Sequence, residues 1–321
     1  MQEHDIREVI KQYDLGKIQK IESLTQGYAN ENFLVETDKQ NVLYRICKQQ
    51  PLHLIEYEVR LMGALRVAEF RTAFPIADKN GHFIQAKGTD HVMLYDFVQG
   101  EEPKLTVEVA YQIGVEVGKL SLTTLTPSLE KKNAIHIDGC HQLTSEFIRC
   151  KNQMLDIFGY FKEQTDYLAR RFDDSLPRGI VHGDIFPNNT IFNGGELRAI
   201  IDFEEACSDQ LMFDVGMTIN GFCFVNNHLQ STLLEAFLEG YNSQRKMTDA
   251  EWKALPIYMQ WGSHGMLSWH LKNELINVHN QVQYERVFEL MQRTQWMRSN
   301  ENQILELASQ WMNQKSMKPT C

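Results

Sequence analysis

The chain has 321 residues, 43% of them hydrophobic and 23% charged, with a formal net charge of -10. That length suits two packed lobes with sizeable cores and needs no disulfide or metal staple. The acidic balance, unbroken by any Lys/Arg-rich stripe, argues against nucleic acid as a partner; no apolar run approaches the roughly 20 residues that span a bilayer, so no membrane partner is expected either.

The six cysteines, at 47, 140, 150, 207, 223 and 321, form no CxxC pair and lie in apolar contexts, so they read as reduced thiols of a cytoplasmic protein. The opening "MQEHDIREVIKQYDLG" is charged and helix-patterned, with no basic segment followed by an apolar one, so no export signal is expected. "KIQKIESLTQGYANENFLVETDKQNVLYRIC" then alternates apolar and polar residues around the turn formers Gly27 and Asn30 and the "TDKQN" break, which predicts three short antiparallel strands. "HLIEYEVRLMGALRVAE" places Leu54, Tyr57, Leu61 and Leu65 at helical spacing. "FPIADKNGHFIQAKGTDHVMLYDFVQGEEP" returns to strands and ends in a linker-like stretch, so the lobe boundary is expected near Phe97 to Gly100, with residues 1–97 as the first lobe and 98–321 as the second.

Beyond that boundary the pattern is mostly helical, including everything from Met212 to Met312, and the tail "NQKSMKPTC" is expected to fray. The expected class is therefore α+β: an antiparallel β lobe followed by an α-rich lobe. One strand-like insertion interrupts the helices, "IVHGDIFPNNTIFNGGELRAIIDFEEA", residues 180–206. "NGGE" is a tight-turn signal between "TIF" and "LRAIID", which predicts a β-hairpin over 189–202. Counted outward from the two glycines, Asn189 and Asp202 come to the same open end, and Asp184 lies in the loop just ahead. An amide oxygen and a carboxylate suit Mg²⁺, which takes one or two protein carboxylates and leaves room for phosphate oxygens and water. A further carboxylate is then left to orient a hydroxyl, which is the arrangement of phosphoryl transfer. The competing reading is that acids and asparagines cluster in turns in any case.

The run "HGDIFPNN" followed at short distance by "IIDFEEA" resembles the HxDxxxxN and IDF/IDW signatures of the aminoglycoside-phosphotransferase-like (APH-like) kinases, which share the protein-kinase fold. Within them, "IDFEEACSDQLMFDVGMTINGFC" is most similar to the type II homoserine kinases, and the likeness extends to "LTQGYANENFLVET" and to "ALP" near residue 254. The resemblance implies a bilobal kinase-like fold and an ATP- and Mg²⁺-dependent phosphotransferase. It implies Asp184 as the catalytic base or hydroxyl-orienting residue, Asn189 and Asp202 as Mg²⁺ ligands, and His182 as support of the catalytic loop. Asp214 in "MFDVG" matches an Asp that braces this loop, although an Asp at the start of an apolar helix also suits an N-cap.

For the nucleotide, the resemblance implies a strand cation paired with a helix carboxylate: Arg45 with Glu58, or with Glu56 as the runner-up. It implies "QGYANENF", with Gly27, as the phosphate-covering turn, and Tyr95 to Phe97 as the hinge that meets adenine through backbone groups. The acceptor implied is a small-molecule alcohol bearing an amine, L-homoserine first. Two departures bear on it: Glu204 and Glu205 stand where homoserine kinases favour aromatics, and "MLSWHLK" replaces an Arg-rich helix. Paired acids suit a polycationic acceptor, so an aminoglycoside- or choline-type kinase is the alternative, and a non-catalytic pseudokinase is the alternative of another class. Oligomeric state leaves no signature in the sequence.

Three look-alike motifs are set aside. "GVEVGKLS" has one residue too few between its glycines for a P-loop. "HIDGCH" reads as a polar loop rather than a zinc site. The sequon at Asn188 lies within the catalytic loop of a chain expected in the cytoplasm. Trp252, Trp261, Trp269 and Trp296 are expected to pack the second lobe, with His264 and His270 as lesser pocket candidates.

Overall fold

The computed structural model describes residues 3–24, 30–48, 50–149, 155–276 and 281–316. Of the expected phosphate-covering turn, residues 26–33, the part that holds Gly27, 26–29, lies outside the described residues. Helix α1 (Glu3–Ile10) leads into strands β1 (Ile18–Leu24), β2 (Glu31–Thr37) and β3 (Asn41–Cys47), then helix α2 (Leu52–Val67) and strands β4 (Gln85–Lys87) and β5 (Asp90–Asp96). Helices α3 (Val107–Leu120), α4 (Ile137–Arg149) and α5 (Leu155–Ala169) precede four short strands, β6 (Arg178–Val181), β7 (Thr190–Asn193), β8 (Glu196–Ile200) and β9 (Cys207–Gln210). Helix α6 (Met212–Phe222), the small hairpin β10 (Phe224–Val225) and β11 (His228–Leu229), and helices α7 (Ser231–Gln244), α8 (Asp249–His270), α9 (Gln281–Ser299) and α10 (Glu301–Ser316) complete the chain. The α+β class expected from the sequence is what these elements form.

They fall into two units. The first comprises Met1–Glu102 with Thr126–Leu129 and Thr190–Glu204, so that hairpin β7–β8 belongs by packing to a unit far from it in sequence. Its antiparallel sheet has the order β1-β2-β3-β5-β4. Because side chains alternate across a strand, β3 sends Val42, Tyr44 and Ile46 to one face, where Ile6, Val9 and Ile10 of α1 cover them. Leu43 and Cys47 go to the other face, with Met93 and Tyr95 of β5 and Ile55 of α2. Arg45 lies between Leu43 and Cys47 in that alternation, so the strand period delivers it to the α2 side.

Hairpin β7–β8 turns on Gly194 and Gly195, both at positive φ (59° and 81°), the conformation that a two-residue hairpin turn requires. It is fastened to the unit by backbone bonds between Glu101 and Phe192, 2.9 Å in each direction, and by Ile200 N–H donating to the Arg71 carbonyl at 2.9 Å. Phe203 packs edge-on against Phe70, ring centroids 5.9 Å apart.

The second unit comprises Pro103–Leu125, Glu130–Asn189 and Glu205–Cys321 and is mainly helical. Helices α3 and α7 touch backbone to backbone: a Cβ on Gly114 would lie 2.1 Å from the Phe237 carbonyl oxygen, and one on Gly240 2.1 Å from that of Tyr111. The glycines of "GVEVGKLS" are thus placed in α3 and face α7. Trp261 is fully buried against Phe172, Phe213 and Tyr258, the first two with ring centroids 4.4 and 4.6 Å away. Trp252 is also buried, whereas Trp269 is 37% exposed.

Two local features differ from the uninterrupted helix expected after Met212. Asn226 and Asn227, both at positive φ (48° and 63°), turn the chain between β10 and β11, because asparagine tolerates the left-handed region that closes a hairpin. The end of α8 passes into a π-helical turn over Leu271–Ile276. Strand β9, which the sequence pattern left unassigned, pairs antiparallel with β6. Among the described residues no helix is long and apolar enough to cross a membrane.

Candidate active site

The second unit builds a loop between β6 and β7 around one buried carboxylate. Asp214 in the first turn of α6 accepts from His182 N–H through Oδ2 at 2.6 Å and from Gly183 N–H through Oδ1 at 2.8 Å. Both oxygens are thereby committed to the loop backbone, and the N-cap position of α6 is Leu211, without a side-chain cap. Of the two roles open for Asp214, the structure has the brace. Burial pushes its carboxyl up to about 7, and the two backbone N–H groups pull the other way by favouring the charged form.

The braced backbone sets the next residues. Gly183 adopts φ +85°, where a side chain is strained, and an added Cβ would meet the Glu205 carbonyl oxygen at 3.3 Å. Asp184 N–H donates to Nδ1 of the buried His182 ring at 3.2 Å. Asn189 Nδ2 donates both to Asp184 Oδ2 at 2.7 Å and to the Asp184 carbonyl at 2.9 Å, so one amide fixes the direction of that carboxylate. Asp184 itself is half-buried, while Asn189 is buried at the end of the turn Pro187–Asn189.

In the first unit a different cluster forms around Arg45. The guanidinium is buried, with Nη1 3.5 Å from Glu58 Oε1 and 3.3 Å from Glu204 Oε1, and Nη2 3.8 Å from Asp202 Oδ1. It also lies over the Tyr95 ring, 4.9 Å from the centroid, and Tyr95 Oη donates to Glu58 Oε1 at 2.6 Å. Burial opposes the charge of Arg45, yet Tyr95, Glu58, Asp202 and Glu204 together raise its pKa well above the ordinary arginine value. The partner of Arg45 in α2 is therefore Glu58; Glu56 is exposed.

Asp202 is held at φ +69°, an uncommon conformation for a residue with a side chain and one that clusters at functional sites. Its side chain is 45% exposed, which leaves oxygen lone pairs open beside the ion pair. Glu204 is more enclosed: burial raises its carboxyl to about 7 against the pull of Arg45, and Asn30 Nδ2 donates to its Oε1. Glu205, the neighbouring acid, belongs to the second unit and is exposed.

Tyr95 lies within β5, opposite Leu43, with its side chain on Glu58. Phe97 follows the end of β5 and borders a cavity of about 490 Å³ whose other walls include Asp38, Lys39, Gln40, Asn41 and Asp96. His264 is buried in the second unit, stacked on Phe161 at 4.5 Å and paired with Thr165 Oγ1 at 2.8 Å, so it is a core residue; His270 is buried as well. The sequence offers Asn30 as a turn former within the phosphate-covering stretch and Tyr95 as a source of backbone groups; neither side-chain pairing leaves a local signal, since the partners lie far along the chain.

Residues 20–255 match the sequence profile of the phosphotransferase enzyme family, APH. A homoserine kinase of Bradyrhizobium sp. (strain ORS 278) is 27% identical over 257 residues, covering 79% of this chain and 80% of that protein. A homoserine kinase of Agrobacterium fabrum is 27% identical over 261 residues, with 79% and 80% coverage. Among solved structures, spectinomycin phosphotransferase in complex with ADP and spectinomycin has a TM-score of 0.69 at 15% identity, over 97% of this chain and 99% of that one. A microcompartment-associated aminopropanol kinase has a TM-score of 0.68 at 16% identity, over 99% of each chain. These likenesses establish the protein-kinase-like α+β fold.

Proposed function

The chain belongs to the APH phosphotransferase enzyme family, that of small-molecule kinases, and from that premise we propose that it moves the γ-phosphate of ATP to a hydroxyl of a small amine-bearing metabolite, L-homoserine first. The observation that carries this reading is the aimed carboxylate of Asp184: half-buried, fixed by Asn189 and set on a loop that Asp214 braces. Asp184 orients the acceptor hydroxyl and takes its proton as the oxygen attacks phosphorus.

Asn189 and Asp202 would hold Mg²⁺, whose charge would offset that of the phosphates. Their chemistry fits, a carboxylate with open lone pairs and an amide oxygen. Chain connectivity supports it too, because Asn189 directly precedes Thr190, which pairs across the hairpin with Ile200, two residues ahead of Asp202. Arg45, steadied by Glu58 and the Tyr95 ring, holds the phosphates. Backbone groups from Tyr95 to Phe97 meet the base.

Homoserine leads as acceptor because relatives carrying that name match 79% of this chain over 80% of their own length. An aminoglycoside or choline acceptor drew its support from Glu204 and Glu205 acting as an acidic pair. Glu204 is engaged by Arg45 and Asn30, which leaves Glu205 as the exposed acid and weakens that alternative. The test is Mg²⁺-dependent, acceptor-dependent ADP release with homoserine, choline, methylthioribose and aminoglycosides. Homoserine is expected to have the highest kcat/KM. A higher value on another alcohol overturns the acceptor, and no acceptor-dependent release on any of them overturns the proposed reaction.

A further inference from the structure

We propose that Asn30 is a positioning residue of the nucleotide grip, setting through Glu204 how strongly Arg45 is available to phosphate. The inference rests on the phosphate-holding role given to Arg45 above. It also places Glu204 on the nucleotide side of the reaction and not among the groups that choose the acceptor.

The geometry lies wholly within the first unit. The Asn30 side chain is clamped at both ends: Oδ1 accepts from Lys48 N–H at 3.2 Å, just past the end of β3, and Nδ2 donates to Glu204 Oε1. That same Oε1 is 3.3 Å from Arg45 Nη1. One carboxylate oxygen is therefore shared between a neutral donor and a buried cation. Arg45 lies three residues before Lys48 on the same stretch of chain, so Asn30 is referenced to the strand that carries the guanidinium.

A phosphate oxygen and the Glu204 carboxylate compete for the same N–H groups of Arg45. With Asn30 in place, Glu204 is drawn partly off the guanidinium. Without that donor the carboxylate has less to hold it away, and in a buried setting its attraction to Arg45 is weakly screened. Nucleotide then has to displace a tighter counter-ion. Glu204→Gln keeps the shape and the oxygen while removing the charge, so it removes the competition and with it the need for Asn30.

The experiment is a double-mutant cycle on the full chain with Asn30→Ala, Glu204→Gln and the double variant. Mg²⁺–ATP affinity is read by displacement of a fluorescent ADP analogue, alongside thermal unfolding and the KM of the acceptor. Asn30→Ala is expected to weaken nucleotide binding about tenfold in the wild-type background and less than about twofold beside Glu204→Gln, with the unfolding midpoint and the acceptor KM unchanged. Asn30→Ser, which keeps a small donor, is expected to recover part of the loss. Equal losses in both backgrounds, a loss that tracks the unfolding midpoint, or an effect of Glu204→Gln on the acceptor KM alone would each overturn the proposal. A wild-type chain that does not bind Mg²⁺–ATP at all overturns the role of Arg45 as well, which is a different result from wild-type binding that Asn30→Ala leaves unaltered.

Discussion

The loop around Asp184 and the cluster around Arg45 solve opposite electrostatic problems. In the second unit, one acid is spent so that another can be used: Asp214 gives both oxygens to the backbone of His182 and Gly183, and Asp184 is left half-exposed with its direction set by Asn189. In the first unit, Glu58, Asp202 and Glu204 surround a single buried guanidinium. The loop is built from one short run with one brace, so its geometry is nearly local. The cluster is assembled from β3, α2, β5 and the segment after β8, so it exists only once the sheet and hairpin have packed. A local device suits a group whose aim must not vary, and an assembled one suits a charge whose strength is tuned by several neighbours.

The comparison is most directly broken at Asp184. Asp184→Asn keeps the shape of the loop and removes the proton acceptor, so kcat is expected to fall about 10²- to 10⁴-fold while nucleotide affinity holds. Single-turnover assays with a parallel nucleotide-binding titration check it; near-wild-type turnover would remove Asp184 from the chemistry. Arg45→Met acts on the other side of the contrast. It leaves three carboxylates without their cation, so nucleotide binding should weaken about 10²-fold and stability should drop by about 3 kcal/mol, with Arg45→Lys intermediate because it keeps the charge and loses the fork. Equilibrium unfolding and nucleotide titration separate the two losses.

The smallest effect concerns the second unit alone. His264 is fully buried, and desolvation lowers its pKa to about 3 from the ordinary 6.5. A base depressed in the folded state contributes stability that is complete above about pH 6.5 and is lost as pH falls toward the folded value, at up to about 1.4 kcal/mol per pH unit. The unfolding midpoint of the wild type should therefore drop more between pH 7 and pH 5 than that of His264→Gln, which keeps a polar side chain to pair with Thr165 and cannot titrate in this range. Parallel curves would mean that His264 is not held neutral by its surroundings.

Several features were legible before folding was considered because their causes are short-range. The hairpin over 189–202 follows from "NGGE" between apolar runs, and the sheet strands follow from alternation around turn formers. The small hairpin at Asn226–Asn227 had a comparable cue, two residues that tolerate positive φ, but it was hidden inside a long apolar pattern. The decoy glycines of α3 show the reverse problem. Gly114 belongs to a run that superficially resembles a P-loop, yet its use is the approach of α7, which no local window contains.

By itself the sequence determined the class of the two units, the placing of Asp184 and Asn189 in one short loop, and the delivery of Arg45 to one face of a strand, since period, turn propensity and spacing act over a few residues. Only the tertiary structure decided that Asp214 braces the loop instead of capping its helix, that Tyr95 steadies Glu58 through its side chain, and that Glu204 pairs with Arg45 and Asn30. Those are contacts between residues distant in the chain, and a carboxylate's role is set by whichever donors packing brings within hydrogen-bond reach.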